Sequence, residues 1–232
     1  MSKIQILSIF FAFVLSTSNI KAQEQNTTLK TSKRYIAVNH NPINSPNDAL
    51  KELKNGNQRF LDGRQINTNY RQAIQATKND QHPHSLILSC LDSRIPPEII
   101  FDQGIGNLFV ARVAGNIEDP NILGSMEFAT KVMGTKLIVV MGHNKCGAVK
   151  GAIEDADLGN LTQLVMQIKP AITGNKTDID AMMNETAKKN VALTIIDILK
   201  QSTIISQLVK EGKLKIASAF YDLNTGKVTF ND

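Results

Sequence analysis

Two short apolar runs, Ser85-Leu86-Ile87-Leu88-Ser89 and Leu137-Ile138-Val139-Val140-Met141, each break off into a cluster of chemically active residues. The first leads into Cys90-Leu91-Asp92-Ser93-Arg94, the second into Gly142-His143-Asn144-Lys145-Cys146-Gly147. Runs rich in β-branched residues and bounded by Gly, Pro and Asp read as buried strands, and here they alternate with stretches of helical periodicity. That alternation predicts an α/β fold with a mostly parallel central sheet flanked by helices. In such sheets ligands sit beyond the carboxyl ends of the strands. Cys90 follows one such end, and His143 and Cys146 follow another on a turn entering a helix. Three good metal ligands are therefore expected to converge.

The rest of the chain fits around that core. Ser45-Pro46-Asn47-Asp48 reads as a capped helix start, with Leu50, Leu53, Phe60 and Leu61 as its apolar stripe and Gly63 as its end. A second short helix is expected over Tyr70 to Ala76 with Ile74 facing inward. Leu108 to Val113 reads as a strand, and Asp119-Pro120 opens a helix carrying Ile122, Met126, Ala129 and Met133 at helical spacing. Beyond Gly147 further helices follow, and the chain closes in a hairpin that turns at Asn224-Thr225-Gly226 and adds an antiparallel strand.

Residues 1–22 have a positive start at Lys3, an apolar core from Ile4 to Leu15 and a polar exit, which reads as an export signal with cleavage near Ala22-Gln23. The apolar core falls short of the ~20 residues that a spanning helix needs. Residues 23–44 read as a loose polar arm, and 45–232 as the folded zinc domain. The formal charge is +5, and without Lys3 and Lys21 it is +3, from 24 Lys and Arg against 21 Asp and Glu. With no run of like charge and no basic–aromatic stripe, neither a nucleic-acid partner nor, after signal cleavage, a membrane is expected.

Zinc takes a tetrahedron of N and S ligands, and a catalytic zinc keeps one position open to water. Cys90, His143 and Cys146 provide three ligands. Cys146, at a helix amino end, is favoured as thiolate. Asp92 is placed to accept a hydrogen bond from the zinc-held hydroxide and orient it, and Arg94 to keep Asp92 ionised and fixed. A Cys90–Cys146 disulfide is the competing use of the two cysteines of an exported chain. The remaining histidines, His40, His82 and His84, read as surface residues.

Cys90-x-Asp92-x-Arg94 with His143-x-x-Cys146 resembles the β-class carbonic anhydrases. So do Gly56-Asn57-x-Arg59-Phe60, Gln81-x-Pro83, Phe109-Val110-x-Arg112, Ala114-Gly115-Asn116 and Tyr221…Thr225-Gly226-x-Val228. The resemblance implies reversible hydration of carbon dioxide to bicarbonate at one zinc per chain, in a homodimer or higher homo-oligomer. It implies Asp92 and Arg94 as catalytic residues, with Asp92 also a fourth zinc ligand in some resting states. Gln81 (across the subunit interface), Phe109, Ala114, Phe128 and the Gly147 backbone are implied to bind substrate. Ala114 stands where many members carry Val, and Phe128 where some carry Tyr. A structural zinc protein of the same fold, and a hydrolase of carbonyl sulfide or carbon disulfide, share these ligands.

Overall fold

A computed structural model describes residues 43–175 and 177–231. The expected export signal, His40 and all but the last two residues of the expected polar arm lie outside them. Helices α1 (Pro46–Leu61) and α2 (Tyr70–Thr77) precede strand β1 (Ser85–Ser89). There follow α3 (Pro97–Ile100), β2 (Leu108–Arg112), α4 (Pro120–Glu127) with a π-helical turn at Phe128–Val132, and β3 (Leu137–His143). The remainder is α5 (Gly147–Ile153), α6 (Asn160–Ile168), α7 (Ile179–Gln201), α8 (Thr203–Lys210), β4 (Lys215–Tyr221) and β5 (Val228–Asn231).

The sheet order is β2-β1-β3-β4-β5, parallel except for the antiparallel β4–β5 pair. Every residue of β1 and β3 is buried, as expected of central parallel strands covered on both faces. Edge strand β2 is only half-buried. One core layer joins Leu53, Ile87, Phe101, Val139 and Met141; the other joins Leu86, Leu88, Met126, Ile138, Val140 and Ile198. The alternate residues of β1 and β3 thus fill opposite layers.

Local sequence explains the ends of the elements. Ser45 accepts from the Asp48 amide while Asp48 accepts from the Ser45 amide, a full capping box on α1. Asp119 and Ser202 cap α4 and α8 one-sidedly, each accepting a single amide bond, from Ile122 and Ile205. Two expectations are corrected. Ile74 does not face inward but is 51 % exposed, and Ala73 is the buried residue of α2. Leu61 is likewise exposed, because α1 meets the core through Ala49, Leu50 and Leu53 instead. Among the described residues no single helix is long and apolar enough to cross a membrane.

Candidate metal centre

β1 and β3 are adjacent and parallel, with Ser89 opposite Met141. Whatever follows β1 therefore meets whatever ends β3. Cys90 is the residue after β1. His143 is the last residue of β3, paired with Tyr221 of β4 rather than lying on a turn. Lys145, at φ 53, turns the chain so that Cys146 becomes the N-cap of α5. The Sγ atoms of Cys90 and Cys146 and a ring nitrogen of His143 all lie within 4.8 Å of one another, and all three residues are buried.

The donor set fits zinc in three independent ways. The two sulfurs are 3.8 Å apart and unbonded; two Zn–S bonds of ~2.3 Å at a tetrahedral angle require about that separation. His143 holds its Nδ1 proton on the Asn144 carbonyl at 2.8 Å, so Nε2 carries the lone pair, and that atom is buried with no protein partner. Electrostatics give the third. Without a cation the sulfurs share one negative charge. A hydrogen bond from Cys146, aided by one from the Gly115 amide, holds Cys90 down at about 4 against the effect of burial, while Cys90 and burial push the Cys146 thiol up. A divalent cation between them removes that conflict.

The surroundings are held as firmly as the ligands. The Gly115 amide donates to Cys90 Sγ at 3.3 Å, and Asn190 of α7 donates to the Gly115 carbonyl at 2.7 Å. Gly115 sits at φ 73, a conformation that favours glycine, and a Cβ there would force Ile168 Cδ1, 2.5 Å away, to move. Asn144 is fixed in turn: its amide donates to Asp222 at 2.9 Å and its oxygen accepts from the Leu223 amide at 2.8 Å. The hairpin turn thus braces the carbonyl that orients His143.

Asp92 and Arg94 form a two-pronged pair, with Nε to Oδ1 at 2.9 Å and Nη2 to Oδ2 at 2.6 Å, and the Arg94 amide adds 3.0 Å to Oδ1. The Arg94 guanidinium holds the Asp92 carboxyl down at about 2, against a weaker opposing effect of burial. Asp92 is not among the ligand atoms that close to within 4.8 Å of one another. Its carboxylate is committed to Arg94.

The residues implied to bind substrate separate into two groups. Ala114 begins the 3-10 turn Ala114–Asn116 beside Cys90, and Gly147 begins α5 beside Cys146. Phe109 and Phe128 pack edge-on with centroids 6.3 Å apart, in a groove of about 580 Å³ along β2 and α4. Phe109 lies three residues before the end of β2, about 10 Å short of it. Gln81 precedes the start of β1, while Cys90 follows its end, a strand length of ~17 Å away. It lines a separate hollow with Thr77, Asp80, Ile105 and Met133. Phe109 and Gln81 thus stand away from the strand ends that carry the metal cluster, and Phe128 packs against Phe109.

His84 is not at the surface. It is 7 % exposed, and bonds Ser85 Oγ at 2.8 Å and Gln103 Oε1 at 3.0 Å. His82 is exposed as expected, beside Asp80. Sequence reasoning gave no role to Asn144 or Asn190, whose partners lie 75 or more residues away. Periodicity and spacing carry no signal for such contacts.

The carbonic anhydrase family profile matches residues 85–228. The chain is 36% identical over 200 residues to carbonic anhydrase 2 of Mycobacterium tuberculosis, covering 82% of this chain and 95% of that protein. It is 35% identical to a carbonic anhydrase of Mycolicibacterium smegmatis, covering 81% and 94%. Among solved structures, a β-carbonic anhydrase of Aspergillus fumigatus superposes with a TM-score of 0.64 at 25% identity, over 70% of this chain and 81% of that one. A structure from work on two tetrameric β-carbonic anhydrases of Sordaria macrospora gives 0.62 at 25%, over 79% and 96%.

Proposed function

This chain belongs to the β-carbonic anhydrase family, and we propose that it is an exported zinc enzyme interconverting carbon dioxide and bicarbonate, one proton being released per hydration. The observation that carries the reading is the buried Cys90–His143–Cys146 cluster, three ligands with His143 Nε2 presented and unpartnered. Three protein ligands are what a catalytic zinc has, whereas a structural one is usually closed by a fourth Cys or His, and the chain contains no third cysteine. When bound, zinc lowers the pKa of a water to around 7 and so supplies a nucleophile at neutral pH.

The chain's own residues direct that nucleophile. An ionised carboxylate only accepts hydrogen bonds, so Asp92 would accept one from the attacking group and fix where its lone pair points. Arg94 keeps Asp92 ionised and, by gripping both oxygens, stops it turning. Ala114 and Gly147 form the near wall of the pocket. Gln81, Phe109 and Phe128 belong to the far wall of a neighbouring protomer's pocket in a homo-oligomer, a reading supported by the hollow and groove they line apart from their own chain's cluster. The residue 1–22 signal supports a periplasmic or secreted location.

The test is proton release from carbon dioxide by stopped-flow, before and after treatment with a zinc chelator. Activity that falls with the zinc and returns with added zinc is expected. A fully zinc-loaded protein that leaves carbon dioxide unhydrated overturns the reading.

A further inference from the structure

Strand β2 ends at Arg112, directly opposite Ser89. Its side chain crosses to the loop that follows β1. Nε donates to the carbonyl oxygen of Cys90 at 3.1 Å, and Nη2 donates to that of Leu91 at 3.1 Å and, closer still, to that of Asp92. Among the described residues Arg112 makes no ion pair with a carboxylate. Its partners are three successive main-chain carbonyls.

Three consecutive carbonyl dipoles pointing at one place repel one another. A guanidinium resolves this because it is always charged and presents its five N–H groups in a rigid plane. The loop held in this way carries both halves of the site. The first carbonyl belongs to a metal ligand, and the third to the residue that orients the nucleophile. Arg94 cannot do the same work, because it ties the Asp92 carboxylate to an exposed side chain of the same loop. Arg112 ties the loop backbone to the sheet.

We propose that Arg112 is a positioning residue for the reaction: by gathering the carbonyls of Cys90, Leu91 and Asp92, it fixes the Cys90 sulfur and the Asp92 carboxylate in one frame with strand β2. The proposal rests on the carbonic anhydrase reading, with Asp92 as the orienting acceptor. It makes Arg112 irreplaceable by lysine, whose compact ammonium keeps the charge but cannot span three carbonyls.

The experiment compares Arg112→Lys and Arg112→Ala with wild type and with Arg64→Ala, a surface change that also removes a charge. Four readouts are taken: zinc affinity by chelator competition, the visible spectrum after cobalt replaces zinc, kcat and KM for carbon dioxide, and melting temperature. For Arg112→Lys, one zinc per chain and a near-native melting temperature are expected. Its kcat and zinc affinity should each fall about 10- to 100-fold, with KM little changed and a shifted cobalt spectrum. Millimolar guanidinium should restore part of the kcat of Arg112→Ala. Arg64→Ala should match wild type throughout. Wild-type kcat, zinc affinity and cobalt spectrum in Arg112→Lys would overturn the proposal, as would losses that merely follow the folded fraction. If Arg112→Ala does not fold, Arg112→Lys alone decides. If wild type binds zinc without hydrating carbon dioxide, the functional reading fails, and zinc affinity and the cobalt spectrum still decide the role of Arg112.

Discussion

Two buried sulfurs 3.8 Å apart cannot both be anionic unless a cation lies between them. Cys90→Ser, His143→Ala and Cys146→Ser should therefore each lose the metal, measured as zinc per chain after dialysis, and full occupancy in Cys146→Ser would refute the site. Metal removal should also lower the melting temperature of wild type, since a ligand present at 100 times its Kd adds about 2.7 kcal/mol to stability. Asp92 separates metal binding from chemistry. Asp92→Asn keeps the shape of the side chain but turns one acceptor into a donor, so zinc should remain while kcat drops about 10- to 100-fold. A variant as fast as wild type between pH 7 and 9 would show that Asp92 orients nothing.

At the scale of elements, α1 crosses tightly over the end of α3. A Cβ on Gly56 would lie 1.8 Å from the Phe101 carbonyl oxygen, a backbone atom that cannot swing aside. Gly56→Ala should cost about 3 kcal/mol, the upper end for overpacking, read as a melting temperature ~6–12 °C lower; an unchanged value would mean that α1 is free to shift. Next to this crossing, Glu52 of α1 accepts from Gln103, which holds His84 at the start of β1. Burial lowers the His84 pKa, against smaller opposing effects of Gln103 and Glu52. The unfolded chain therefore binds this proton more tightly than the folded one. The contribution of His84 is complete above the unfolded value of 6.5 and is lost as pH falls below it. Melting temperature should fall more steeply from pH 7 to 5 in wild type than in His84→Gln, and parallel curves would show that His84 charges freely in place.

These elements also show what the sequence made legible. Cys90 and His143 could be read because one directly follows and the other ends an apolar run that reads as a buried strand, and Cys146 because it stands three residues beyond His143 at a helix start; parallel strands bring their ends together. α1 and α4 could be read from Ser45 and Asp119, which cap within three residues. His84 could not, because nothing adjacent announces that Gln103 will cover it. Ile74 is exposed where its spacing points inward, because periodicity gives an apolar face but not the surface that covers it. Arg112 and Asn190 act on main-chain atoms, and Asn144 on Asp222 and the Leu223 amide, all brought near by the topology, and such distant contacts leave no mark in the sequence.

For the whole molecule, the question is which chain completes which pocket. Gln81 stands before β1 and the metal cluster stands after it, so on the proposed reading one protomer carries the two halves of the pocket at opposite ends of its strands. A twofold pair is self-complementary, each protomer giving what it receives, and the half-buried edge β2 with its Phe109–Phe128 groove lies on the same chain as Gln81's hollow. On this arrangement dilution to monomers should abolish activity while zinc stays bound. A sharper test mixes two defective proteins. Gln81→Ala keeps its metal but lacks the residue it lends, and Cys146→Ser lends Gln81 but holds no metal. If Gln81 acts across the interface, unfolding and refolding an equal mixture makes hybrids in which one of two sites is wholly native. Half of random pairs are hybrids, so about a quarter of wild-type activity per site should return. If Gln81 served its own chain's metal, no hybrid would contain an intact site, and the mixture would show only the average of its parts. That average, found in a sample whose hybrids are confirmed by native mass spectrometry, would remove Gln81 from the neighbour's pocket.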